Sequence, residues 1–337
     1  MAGKGDKFTD IVYDYCKLHE YMPSRTLAKL IAQHIPELYA GRDELSRIES
    51  IRYRVRLRRN TVGKKARRQQ GLRAEKKSMG YIPPSLHSIK KDYEVQQTGQ
   101  ILMVGDIHAP FHDVNAIRTM LDYCVDEYEI KAVIYVGDTM DCPSVSKFSQ
   151  GPDTPSIQDE IPYVEDILDT FQEAFPKAKH IWKDGNHEMR LPRYLNRCAS
   201  ELASVIKAGA GDLVKVRERG MDYVGPLQLI RAGRLFVVHG NEVGINSVGV
   251  NPARSLYLKT RETALCFHLH NTSSHTDKTL KGSFPTCWSA GCLCDLQPDY
   301  APHGNKFNHG FVVQELHESG QFELENMRIL NGKVVRG

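Results

Sequence analysis

A chain of 337 residues, 41% hydrophobic and 26% charged, has the composition of a globular protein and the length for one large core plus a smaller unit. No run of 18 apolar residues occurs, which excludes a transmembrane helix by hydropathy, and Met1–Lys7 lacks the apolar stretch of a signal peptide, so a cytoplasmic location and no membrane partner are expected. The net charge of +4 is uneven: between Ile51 and Lys77 twelve Lys or Arg face one acid, Glu75, so this block carries +11 and the rest of the chain −7, a concentration that points to a polyanionic partner.

Residues 1–60 read as a small three-helix domain. Ile11, Val12, Tyr15 and Leu18 have helical spacing. Pro23-Ser24 breaks that pattern, with Ser24 a candidate N-cap, and Leu27, Leu30 and Ile31 mark a second helix that ends near Ile35-Pro36. Gly41-Arg42-Asp43 begins a third, with Leu45, Ile48, Ile51 and Val55 inward and Arg47, Arg52, Arg54, Arg56, Arg58 and Arg59 on its other faces. Residues 61–97, basic and then containing Pro83-Pro84, read as a linker.

From residue 98 onward the character changes. Short apolar runs at 101–104, 132–136, 180–182, 235–238 and 265–267 suit buried strands, and helical segments at 114–124 and 163–175 fall between the early ones, so an α/β core is expected. Runs at 311–314 and 322–325 around Ser319-Gly320 read as a hairpin, which makes the later sheet mixed or antiparallel. The eight cysteines match no paired zinc-knuckle pattern and are expected to be reduced core thiols.

Polar clusters follow those runs: Asp106-Ile107-His108, Gly137-Asp138-Thr139-Met140-Asp141, Gly185-Asn186-His187-Glu188, His239-Gly240 and His268-Leu269-His270. Asp, Asn and His are the side chains that hold two divalent metals about 3.5–4 Å apart, and the carboxyl ends of parallel strands are where such ligands converge. Any one of these clusters is common by chance; five in one order are not.

In that order the clusters resemble the core pattern of the calcineurin-like metallophosphoesterase family, over about residues 100–310. The resemblance implies a four-layer α/β/β/α sandwich of two mixed sheets and a metal-dependent phosphoric ester hydrolase. It implies that Asp106, His108 and His270 bind one ion, that Asn186, His239 and His268 bind a second, and that Asp138 bridges them. The ions would be manganese first, with iron, zinc, nickel, cobalt or magnesium as other candidates. Attack on phosphorus would come from a hydroxide shared by the two ions, with His187 as general acid for the leaving group and Asp141 supporting the ligands. Arg190 is read either as a substrate contact or as a surface or helix-capping residue, and Glu188 as a structural residue that helps to start the next helix. The family's glycine before the final His-x-His is Phe267 here, and His275 offers an alternative to His268 or His270. Cys142 and Pro143 stand where eukaryotic-type serine/threonine phosphatases place an arginine after the second motif.

The N-terminal helices resemble helix-turn-helix DNA-binding domains, with residues 43–59 as the recognition helix and the six arginines as nucleic-acid contacts. A small unit of this kind before a phosphoesterase is similar to proteins of bacteriophage and prophage genomes. The expected function is a phosphodiesterase or nuclease acting on DNA. A phosphomonoesterase, or a DNA-binding regulator with a vestigial metal site, remains open at this point.

Overall fold

The computed structural model describes residues 7–59, 90–147, 151–203, 206, 209–245, 249–298 and 303–336. Residues 61–89 of the expected linker lie outside them. The chain divides into two compact units, 1–88 and 89–337.

The smaller unit contains α1 (Lys7–Leu18), α2 (Ser24–His34) and α3 (Glu44–Arg58). Val12, Cys16, Leu27, Ala28, Ile31, Leu38, Ile48, Ile51 and Val55 form its buried core. Asp43 caps α3 by accepting a hydrogen bond from the Ser46 N–H (3.0 Å). Three expectations need correction. Pro23, not Ser24, precedes α2, and no side chain caps that end. Leu18 and Leu45 are 77% and 71% exposed, because each sits in a terminal turn of its helix, beyond the packed face. The connection from α2 to α3, residues 35–43, is also longer than the three- or four-residue turn of a helix-turn-helix.

In the larger unit, β1 (Tyr93–Glu94) pairs with β6 (Ile230–Ala232), so residues 90–97 belong to this unit and not to the linker. Backbone pairing, which a two-residue strand does not advertise, decides this. Then follow β2 (Gly99–Val104), α4 (Val114–Glu127), β3 (Ile130–Val136), α5 (Ile157–Ala174), β4 (Lys179–Lys183), α6 (Arg190–Cys198), α7 (Ser200–Ala203), α8 (Ala210–Leu213) and β5 (Asp222–Val224). After β6 come β7 (Leu235–Val238), α9 (Pro252–Thr260), β8 (Ala264–Cys266), β9 (Ser273–Thr276), β10 (Thr286–Ser289), β11 (His309–Leu316), β12 (Phe322–Leu330) and β13 (Lys333–Val335).

Two mixed sheets result. One has the order β13-β12-β11-β2-β3-β4-β5, with β2 to β5 parallel; the other has the order β1-β6-β7-β8-β10-β9, with β7, β8 and β10 parallel. The expected hairpin is β11–β12, paired in register from His309↔Ile329 to Leu316↔Phe322.

Four layers follow from which face each strand buries. Ile101, Met103, Ile134 and Ile181 of the first sheet pack against Leu235, Val237, Leu265 and Phe267 of the second. The first sheet's opposite face, with Leu102, Val104, Val133, Tyr135 and Trp182, packs under α4 and α5. The second sheet's outer face lies under α9 through Ala253, Leu256 and Tyr257. Strands buried on both faces read as continuous apolar runs, which is why they were visible in the sequence. The parallel strands of both sheets end in the loops that carry the polar clusters.

Candidate metal centre

Backbone geometry brings the clusters together. Of ten non-glycine residues with positive φ among the described residues, six lie in these loops: Asp106, His108, Asp138, Cys142, His268 and His270. Left-handed backbone is costly for such residues and gathers where function requires it. Gly137 and Gly185 permit the closest approach, since a Cβ on Gly137 would lie 2.7 Å from Gly185 Cα and one on Gly185 2.3 Å from Asp138 Oδ1. Phe267 is fully buried against Gly105, where a Cβ would meet its ring at 2.8 Å. The freedom that a glycine at 267 would supply is taken instead by the left-handed turns at His268 and His270.

The side chains meet as follows. His270 Nε2 lies 3.5 Å from Asp106 Oδ1 and 3.2 Å from His108 Nε2. His108 Nε2 is 4.0 Å from Asp106 Oδ1 and 3.9 Å from Asp138 Oδ2. On the other side of Asp138, its Oδ2 lies 3.1 Å from His239 Nε2, which is also 3.1 Å from Asn186 Oδ1. His268 joins Asp138 and His239 in a set whose potential ligand atoms lie within 4.8 Å of one another. His275 instead stands on β9 beside the Tyr257 ring, 5.4 Å between centroids, and belongs to no such set among the described residues.

Hydrogen bonds fix which nitrogen each imidazole presents. His239 Nδ1 bonds the Val136 carbonyl (2.9 Å) and His108 Nδ1 bonds Asp141 Oδ1 (2.7 Å), so both direct Nε2 inward. Burial opposes charge on His239 and His270, yet the carboxylates of Asp138 and Asp106 raise both to about 10. Burial and the neighbouring His239 push His268 down to about 4. Burial opposes ionisation of Asp141 too, but hydrogen bonds from His108 and His187 hold its carboxyl well below the usual range.

The donor set fits divalent cations. Asp106 is fully buried and its Oδ1 has no hydrogen-bond partner. Asp138, equally buried, stands between two groups of imidazoles. Buried carboxylates without a full set of donors need positive charge, and carboxylate, carboxamide and imidazole are ligands for ions such as manganese, iron and zinc.

His187 and Arg190 flank the centre. His187 Nδ1 is 2.8 Å from Asp141 Oδ1; its Nε2 is 3.7 Å from Asp138 Oδ2 and accepts from the Arg190 guanidinium (2.9 Å). Arg190 also donates to the Asp141 carbonyl (2.8 Å). The side chain thus faces the site rather than bulk solvent.

Glu188 does more than start a helix. Fully buried, it accepts backbone N–H groups from Asp138, Thr139, Met140 and Gly185, at 2.7–3.1 Å, and so ties two ligand loops together. Sequence reasoning missed three further neighbours. Glu242 accepts the His239 and Gly240 N–H groups (3.0 and 2.7 Å) and pairs with buried Lys183 at 2.7 Å. Cys294 Sγ lies 3.8 Å from His270 Nδ1. Glu242 stands three residues after His239 and Lys183 two before Gly185, but neither spacing signals the pairing.

A family model described as calcineurin-like phosphoesterase matches residues 99–285, more than half of the chain and every candidate ligand from Asp106 to His270. The chain belongs to the calcineurin-like phosphoesterase family. A curated relative, "Gene 54 protein" of Mycobacterium phage L5, is 26% identical over 115 residues, which cover 32% of this chain and 44% of the relative. The chain therefore spans less than half the length of that relative. Among solved structures, a zinc complex of Vps29 from Entamoeba histolytica is 14% identical, with a TM-score of 0.38, and the match covers 71% of this chain and 97% of that one.

The six arginines expected at nucleic acid divide into two groups. Arg47 donates to the carbonyls of Ala32, Ile35 and Leu38 (2.6–2.8 Å), closing the C-terminal end of α2. Arg59 donates to the carbonyls of His19 and Met22 just beyond α1 (2.7 and 2.6 Å). These two side chains staple the unit internally, because carbonyls at helix ends attract cations. Arg52 pairs with Glu49 (3.1 Å), Arg54 donates to Thr9 Oγ1 (2.7 Å) and Arg58 stacks 3.6 Å over the Tyr13 ring, all nearer the surface; Arg56 lies in the last turn of α3. Among the described residues no helix is long and apolar enough to cross a membrane.

Proposed function

We propose that this phosphoesterase hydrolyses phosphodiesters of nucleic acid at a two-metal site held by Asp106, His108, His270, Asn186, His239 and His268, with Asp138 shared. The observation that supports this most is the buried Asp106 Oδ1, which accepts no hydrogen bond among the described residues, beside a second buried carboxylate, Asp138, among imidazoles whose Nε2 atoms point inward. Divalent ions bound there lower the pKa of coordinated water from 15.7 toward about 7 and neutralise charge on the phosphoryl oxygens.

The chain's own groups do the remainder. Asn186 orients the phosphoryl group. His187, anchored to Asp141 through Nδ1, donates a proton from Nε2 to the departing oxygen. Arg190 occupies that nitrogen in the free protein, so it must yield as His187 becomes protonated there, and an anionic substrate provides its alternative acceptor. The N-terminal unit supports a nucleic-acid substrate through the basic residues Arg52, Arg54, Arg56 and Arg58 of α3.

Hydrolysis of bis-p-nitrophenyl phosphate and p-nitrophenyl phosphate with manganese, alongside metal-dependent cleavage of single- and double-stranded DNA, tests the reading. Diester preference and DNA cleavage, both lost in Asp138→Asn, are expected. Monoester preference without DNA cleavage would reassign the protein as a phosphatase, and silence on every substrate as a binding protein. His187→Ala should lower turnover by roughly 10²–10⁴-fold with metal content unchanged; loss of metal would make His187 a ligand instead.

A further inference from the structure

Directly after the loop that carries Asn186 and His187, the chain enters α6, an acid-free helix with the sequence RLPRYLNRC. Its arginines fall at positions 190, 193 and 197, and at 100° per residue they share one face. Arg190 is the inner end of the row, hydrogen-bonded to His187 Nε2 and to Asp141. Arg193 and Arg197 lie about 4.5 and 10.5 Å further along the helix axis. Both are exposed; among the described residues Arg193 donates to the thioether of Met189 (3.5 Å), and Arg197 rests 5.8 Å over the ring of Tyr194. Tyr194 borders the same face and is 38% exposed, while Leu191 and Leu195 take the opposite one. None of the helix's residues is buried.

A row of three arginines is more than solubility requires in nine residues, and one end of it is fixed against the group assigned to protonate the leaving oxygen. We infer that α6 is a phosphate rail: Arg193 and Arg197 bind the phosphates that follow the scissile diester on its leaving-group side, with Tyr194 available to stack a base. The inference rests on the phosphodiesterase reading and narrows its substrate to an oligonucleotide or polynucleotide strand rather than an isolated diester. Arg193 and Arg197 stand about 6 Å apart along the helix axis, far enough for each to take a separate phosphate of one strand. Guanidinium is the side-chain group best shaped for phosphate oxygens, and aromatic stacking adds affinity without sequence preference.

The test uses the full chain with manganese and thymidine oligonucleotides of two to eight nucleotides, beside bis-p-nitrophenyl phosphate, which has no flanking phosphates. In the wild type kcat/KM should climb with oligonucleotide length. In Arg193→Gln/Arg197→Gln that climb should flatten, with the longest substrates losing roughly tenfold or more and the salt dependence growing shallower by about 0.7 in log–log slope per arginine. Hydrolysis of bis-p-nitrophenyl phosphate should stay unchanged, which verifies fold and chemistry in the same sample. An equal climb in the double variant overturns the rail and leaves the phosphodiesterase reading intact, as does a wild type indifferent to length. Failure of the wild type on both substrate classes removes the parent reading and the rail with it.

Discussion

The loops of the metal centre and the third helix of the small unit were both conspicuous for their charged residues, yet the structure treats them differently. In the first, the side chains of Asp106, His108, Asp138, Asn186, His239, His268 and His270 lie close to one another. In the second, arginines of like appearance split, since Arg47 and Arg59 turn inward to helix-end carbonyls while Arg52, Arg54 and Arg58 remain near the surface. A ligand at the end of a buried parallel strand has its direction set by the strand. An arginine on a helix can reach several places, and its sequence position does not say which carbonyl lies within reach.

That contrast can be broken or sharpened by substitution. The largest stability effect is expected at Glu188, whose removal strands four buried N–H groups of the ligand loops. Glu188→Ala should cost on the order of 3–5 kcal/mol in denaturant unfolding and weaken metal retention. A change below about 1 kcal/mol would mean that the loops hold their shape without it.

Next comes Arg47. Arg47→Ala should destabilise the three-helix unit by about 2–3 kcal/mol, because the carbonyls of Ala32, Ile35 and Leu38 lose a charged donor. Arg52→Ala should leave unfolding within about 0.5 kcal/mol and act on affinity for DNA instead. Equal effects of the two on DNA affinity, with no difference in unfolding, would restore Arg47 to the nucleic-acid face.

The smallest effect concerns Glu160, fully buried on α5, with Oε2 accepting the Cys142 N–H (2.7 Å) and Oε1 unpartnered. Burial, and then the nearby Asp141 carboxylate, raises it from 4.5 to about 8. The folded state therefore holds a proton that the unfolded chain releases above about pH 4.5. This contribution to stability is complete below that pH and is lost as pH rises toward 8. Glu160→Gln keeps the neutral form throughout, so its melting temperature should fall less than the wild type's between pH 5 and 8, by on the order of 5 °C. Parallel pH profiles would show that Glu160 ionises without cost.

These contrasts also mark how much was legible beforehand. Strands and polar clusters are readable because β2, β3, β4, β7 and β8 are buried on both faces, and the clusters sit at their carboxyl ends. The departure at Phe267 was visible but not its resolution, since that depends on Gly105 opposite it and on the left-handed turns at His268 and His270. Glu242 and Lys183 were invisible as a pair, because buried ion pairs between separate loops leave no local pattern. Residues 90–97 passed for linker because a two-residue strand declares itself only through its partner, β6.

In the proposed centre seven side chains surround a pair of cations with Asp138 between them. Anomalous scattering from crystals grown with manganese measures this directly. Two peaks roughly 3.5–4 Å apart, both within bonding distance of Asp138, are predicted. Peaks elsewhere in the molecule, or none in a crystal that holds manganese in solution, would contradict it.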